Sequence, residues 1–160
     1  MALPAFASTV KDPETYFFDN TFGDFSEELE TAKEQGKKGV MIFFEMDDCP
    51  FCHWMKINVL NQPEVQQYYK DNFLMFAVNI DGDLEIVNFQ GKSMSQKDFS
   101  FKENRVRATP VIAFFDLKGQ RVMRFTGRTS NPKEFLLLGK FVAEQEYKNN
   151  KFSKYKRAHK

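Results

Sequence analysis

Cysteine is scarce. The 160 residues contain two, Cys49 and Cys52, so nothing is left for structural bridges and the chain is not a disulfide scaffold. Long apolar runs are also missing. No stretch approaches the roughly 18 residues that a transmembrane helix needs, so a soluble protein without stable membrane insertion is expected. No Gly-rich nucleotide fingerprint occurs, which removes the expectation of a bound flavin or nicotinamide. Histidine is limited to His53 and His159, and no second ligand pair accompanies Cys49, Cys52 and His53. A zinc centre therefore lacks its ligand set and no metal is expected. No internal repeat or linker divides the chain, and its length suits one domain with its own core.

What is present suits a globular protein. Hydrophobic residues make up 42% and charged residues 28%, a balance that excludes a wholly disordered chain. Nineteen phenylalanines predict an aromatic-rich core. The formal charge of +1 conceals a division. Residues 148–160 hold six Lys/Arg and no Asp/Glu, leaving 17 basic and 22 acidic residues elsewhere, a net of −5. Such a basic tail can attract an acidic partner, an anionic surface or nucleic acid. The commoner behaviour of a terminus, a solubilising end that frays, is the expectation adopted, with no nucleic-acid partner. At the other end, Ala5-Phe6-Ala7 has the small-x-small pattern of a secretory cleavage site without the charged and apolar regions that precede one. It reads either as the remnant of an export signal or as a plain flexible terminus.

The chemistry concentrates between Asp47 and Lys56. Val40 to Phe44 is an unbroken apolar run of strand length, and the pattern turns helical at Pro50, a residue that suits a first helical turn because its missing N–H is no loss there. Cys49 is thereby placed at a helix N-terminus, where unpaired N–H groups and the macrodipole favour a thiolate. Cys52 follows one turn later on the same face. Two sulfurs so placed can form a disulfide, and a thiolate that attacks a substrate disulfide can be resolved by its neighbour.

Along the chain, residues 1–23 read as an irregular lead-in, 24–147 as the folded domain and 148–160 as the basic tail. Phe25, Leu29 and Ala32 recur at helical spacing over Asp24 to Gln35, with Gly36 as terminator. Val40 to Glu45 reads as a central buried strand. A helix over Pro50 to Leu60, a second from Glu64 to Asp71, and a strand over Phe73 to Ile80 follow. Residues 84–94 read as an extended excursion, and Ser95-x-x-Asp98 as a capping box opening a short helix to about Arg105. Thr109-Pro110 introduces the strand Val111 to Phe115, which forms a hairpin with Gln120 to Phe125. Asn131-Pro132-x-Glu134 caps a last helix with Phe135, Leu138, Phe141 and Val142 as its apolar stripe.

This order resembles the thioredoxin fold over about residues 24–145, an α/β single domain with a central mixed β-sheet flanked by helices. More narrowly, Phe44-Glu45-x-x-x-Cys49-Pro50-Phe51-Cys52-His53-x-Met55, Pro63-Glu64-Val65 and Asp81-Gly82-Asp83 resemble the exported bacterial thioredoxin-related proteins of the SoxW-like and DsbD C-terminal-domain type. The resemblance implies a protein thiol–disulfide oxidoreductase, catalytic through Cys49 and Cys52 and located in the periplasm or otherwise exported. It further implies a cis-proline at Pro110 and a Thr109 that offers backbone hydrogen bonds to an extended substrate segment. The partners implied are protein disulfide substrates and a protein electron donor, such as a membrane thiol transporter. No cofactor beyond the cysteine pair is implied.

Two departures from thioredoxin matter, and the first is the dipeptide between the cysteines, Pro50-Phe51 where thioredoxin has Gly-Pro. Thioredoxin has a buried aspartate six residues before the first cysteine, and here that position is Phe43, which cannot relay a proton. Glu45, four residues before Cys49, is the nearest replacement for proton transfer if it points inward; a carboxylate left in solvent is the other reading. The helix N-terminus favours the Cys49 thiolate by roughly 0.3–1 kcal/mol, while Glu45, Asp47 and Asp48 oppose it. A thiolate less stable than that of the strongest oxidants follows, which favours a reductase or disulfide carrier. Phe51, between the cysteines, is expected to be exposed as part of an apolar docking surface. Two other function classes fit parts of the pattern. One is a thioredoxin-fold adaptor whose disulfide is incidental. The other is c-type haem attachment at Cys49-x-x-Cys52-His53, which the preceding buried strand disfavours.

Overall fold

In the computed structural model, residues 9–160 are described; the Ala5-Phe6-Ala7 pattern lies outside them. The strand β1, Gly39–Glu45, has six successive buried residues, and a strand apolar on both faces needs cover on both. It therefore lies inside a four-stranded sheet of order β2-β1-β5-β6, where β2 is Phe73–Asn79, β5 is Val111–Phe115 and β6 is Arg121–Thr126. β1 runs parallel to β2 and antiparallel to β5, and β5 to β6 is antiparallel.

Alternation along these strands divides the core into two layers. Met41, Phe43, Met75, Ile112 and Phe114 face one way, beneath the helices α3 (Pro50–Asn58), α4 (Pro63–Asn72) and α6 (Pro132–Ala143). Val40, Ile42, Phe44, Phe76 and Val111 face the other way, beneath α2 (Phe25–Glu34). Both α2 and α6 carry side-chain caps, that of α6 as its sequence predicts. Asp24 accepts from the N–H groups of Ser26 and Glu27, and Asn131 accepts from that of Glu134. The expected α/β thioredoxin-like architecture is observed.

Three segments differ from the sequence expectation. Residues 85–95, overlapping the expected extended excursion, form a small hairpin, β3 (Glu85–Val87) with β4 (Ser93–Ser95). Beyond this hairpin the Ser95 cap opens a short helix as expected, α5 (Gln96–Asp98), continued by a π-helical turn over Phe99–Glu103. In the lead-in, Asp12 caps the one-turn helix α1 (Pro13–Tyr16), and Phe17 and Phe18 are buried in the layer that contains the cysteines. The tail does not fray over its length: Phe152–Ala158 forms α7. Its Phe152 and Tyr155, three residues apart and so on one helical face, each lie 5.4 Å from the Phe141 ring. Lys156 also reaches Glu134 on α6 at 2.8 Å. No helix among the described residues is long and apolar enough to cross a membrane.

Candidate active site

The site forms where β1 gives way to α3. Cys49 is the N-cap of α3 in extended backbone, and its sulfur accepts the Cys52 N–H at 3.1 Å. Pro50 takes the first helical position. One turn of helix then separates the two cysteines by 5.2 Å between Cα atoms, and they are joined as a disulfide. Cys49 is the less covered of the pair, 8% exposed against 3% for Cys52. Phe51 between them is 55% exposed, as expected from the sequence.

A second wall comes from residues far away in sequence. The Thr109–Pro110 peptide is cis, with Pro110 buried and Thr109 partly so. The Pro110 carbonyl accepts the N–H of Gly127 at 2.8 Å, tying the entry of β5 to the loop that leaves β6. Gly127 has φ +94°, a conformation that favours glycine. The next two residues face α3. Buried Thr129 donates its hydroxyl toward the Met55 sulfur at 3.5 Å. The Arg128 guanidinium lies over Trp54, 4.0 Å from the ring centroid, and 5.5 Å from that of Phe51. Arg128 is absent from the residues that sequence reasoning selects. Its only sequence signal is a Gly-Arg step closing the hairpin.

Glu45 has a partner, Lys56, whose Nζ lies 2.8 Å from the Glu45 carboxylate and 2.6 Å from that of Glu14. Burial raises the Glu45 pKa above the ordinary carboxylate value; Lys56 pulls it down, but Glu14 and Asp47 push it up again. For Lys56, burial is the largest single influence and favours the neutral amine, but the two carboxylates outweigh it and raise the pKa. Phe43 is fully buried beneath the cysteine layer, and His53 on α3 is exposed. Among the described residues, no group of three or more His, Cys, Asp or Glu side chains is placed to hold a metal ion.

Residues 25–143 match the family described as thioredoxin-like domain. No curated protein sequence matches the chain. Among solved structures, the chain is similar to a thioredoxin-fold protein from Helicobacter pylori at 23% identity and a TM-score of 0.71, over 91% of this chain and 90% of that one. It is also similar to the DsbH oxidoreductase at 18% identity and a TM-score of 0.60, over 81% and 88%. The reduced C-terminal domain of DsbD from Neisseria meningitidis matches at 22% identity and a TM-score of 0.51, over 82% and 100%. At these identities the likeness carries the fold.

Proposed function

The chain belongs to the thioredoxin-like family, and from that premise we propose that it is a protein thiol–disulfide oxidoreductase acting through Cys49 and Cys52 as a reductase or disulfide carrier. The observation that carries this reading is the Cys49–Cys52 disulfide at the N-terminus of α3, with the less covered sulfur on the N-cap. In the reduced protein, the Cys49 thiolate attacks one sulfur of a substrate disulfide; the other substrate sulfur leaves as a thiolate and a mixed disulfide remains. Cys52, once deprotonated, attacks the Cys49 sulfur and expels the second substrate thiolate. Two electrons pass to the substrate and the Cys49–Cys52 disulfide is left behind.

Glu45 is the base proposed to take the Cys52 proton through water. Its partial burial and raised pKa fit that task. Thr109, Pro110 and Phe51 receive the extended substrate segment. A protein dithiol re-reduces the pair, a membrane thiol transporter being the class of donor implied by an exported location, and the cysteine pair serves in place of any bound cofactor.

The test is a titration in glutathione buffers that follows Trp54 fluorescence, with thiol trapping to show that Cys49 and Cys52 change together. A midpoint near the thioredoxin value of about −270 mV supports the reading, and one near −120 mV makes the protein an oxidant. Absence of any reversible disulfide overturns the enzyme reading in favour of an adaptor. A Cys52→Ser variant is expected to accumulate mixed disulfides that Cys49→Ser does not form.

A further inference from the structure

We propose that Arg128 is a specificity determinant of the exchange site, binding a carboxylate side chain that the substrate protein carries beside its disulfide. The proposal rests on the disulfide-exchange reading of Cys49 and Cys52. Phe51 is exposed between the two cysteines, and Arg128 stands over Phe51 and Trp54. A guanidinium held by its face over an aromatic ring keeps its N–H edge for hydrogen bonding, and that edge matches a carboxylate with two parallel bonds.

The edge is largely unspent. The one hydrogen bond from the Arg128 side chain is a 3.5 Å contact from Nη1 to the Thr129 carbonyl, and no ion pair among the described residues includes it. Asp47 and Asp48, exposed on the turn before Cys49, do not pair with it. Nearby arginines behave differently. Arg121 and Arg124 both donate to the Asn104 carbonyl, and Arg124 also donates to that of Arg105, so their guanidinium groups hold the chain that leads into Thr109. Arg128 stacks on the active-site helix instead. Its position is built in: Gly127 is tied to Pro110 and Thr129 is buried against Met55. Arg107, exposed two residues before Thr109, adds a second positive charge close in sequence to the cis peptide. Charge complementarity therefore selects Asp or Glu near the substrate cysteines.

The experiment mixes pre-reduced full-length protein with either of two synthetic peptides, each closed by one disulfide and differing only in Glu or Gln beside the cysteines. The protein dithiol is the only reductant, and Trp54 fluorescence reports the rate. The effect of a flanking carboxylate on the peptide's own disulfide is common to all protein variants, so the readout is the Glu/Gln rate ratio relative to wild type. Arg128→Gln is expected to lower that ratio roughly three- to tenfold, and Arg128→Glu to lower it further. A general loss of turnover cancels in the ratio, and reversal of charge moves it in a way that lost packing does not. Raised salt should compress the wild-type ratio. A ratio identical in wild type and Arg128→Gln, with both peptides reduced, overturns the proposal while leaving the redox reading intact. If wild type reduces neither peptide, the redox reading falls and the proposal falls with it.

Discussion

Lys56 is one cation shared by two carboxylates, and that ratio explains why both partners of the Lys56–Glu45 pair have raised pKa values. Lys56 donates hydrogen bonds to both Glu14 and Glu45, while Glu45, half-buried and with acidic neighbours, has only Lys56. The raised lysine contributes stability that is present below its ordinary value of 10.5 and lost as pH rises through the folded pKa. Glu45 works in the opposite sense. Its raised pKa means that ionisation above 4.5 disfavours the fold, a penalty that vanishes when the carboxyl is protonated. Lys56→Met removes the compensating cation and leaves a largely buried carboxylate. It should lower stability by about 1–2 kcal/mol at neutral pH, reduced from the cost of breaking a fully buried pair because Glu45 is not wholly enclosed. Urea denaturation should show the loss shrinking as pH falls through the Glu45 pKa. A loss that is the same at acid and neutral pH would mean that packing of the lysine stem, not its charge, is what matters. The site residues divide by distance along the chain. Cys49, Cys52 and Phe51 were legible because within one helical turn spacing in sequence is spacing in space. The partnership of Lys56 with Glu45 and Glu14, and the seating of Arg128 on Trp54, depend on how separate elements pack, which no local pattern records.

Among the elements, α4 and α6 meet most tightly at Gly139. The Tyr69 ring lies parallel to that of Phe135, 4.3 Å away, and its hydroxyl donates to the Phe135 carbonyl at 2.7 Å. Burial pushes the Tyr69 pKa well above 10, so the phenol remains a donor across the range where the protein folds. A Cβ on Gly139 would meet two carbons of that ring at 2.9 Å. Ala in place of Gly gains about 1 kcal/mol of helix propensity, but overpacking costs about 1–3 kcal/mol. A ring held by stacking and by a hydrogen bond cannot step aside cheaply. Gly139→Ala should therefore lose about 1–2 kcal/mol net, seen as a lower urea midpoint with an unchanged slope; a gain would show that the Tyr69 ring moves freely. The helices α2, α3, α4 and α6 and the long strands were legible because each has an apolar stripe, a proline start, a stopper or a buried run, as with Gly36 after α2. The β3–β4 hairpin was not: its strands are three residues each, too short for alternation to register, and the pairing of Ile86 with Met94 is a tertiary fact.

At the scale of the whole molecule, the two faces of the sheet are completed differently. The face under α2 is covered by chain within residues 25–143, the part that matches the family. The face bearing the cysteines also draws on both flanks, since Phe17, Phe18, Phe152 and Tyr155 are all buried in it. Each such aromatic contributes about 1.5–3 kcal/mol of burial, so the four together are comparable to the roughly 5–15 kcal/mol net stability of a domain. Ordering the flanks offsets part of this gain, but the surface that they cover remains apolar when they are gone. Phe17 packs at 6.0 Å from Phe135 and Phe152 at 5.4 Å from Phe141, both on α6, so the two flanks act through one helix and their losses need not add. Removal of residues 149–160 or of residues 1–18 should each lower the urea midpoint, and removal of both should abolish cooperative unfolding. Native-state hydrogen exchange should show where the loss falls: amides of α3 and α6 lose protection in either trimmed chain, while those of α2 keep theirs. A doubly trimmed chain with wild-type protection in α3 would mean that the flanks are only appended. The expected loss would instead make the redox helix stable only when chain on both sides of the family domain is in place.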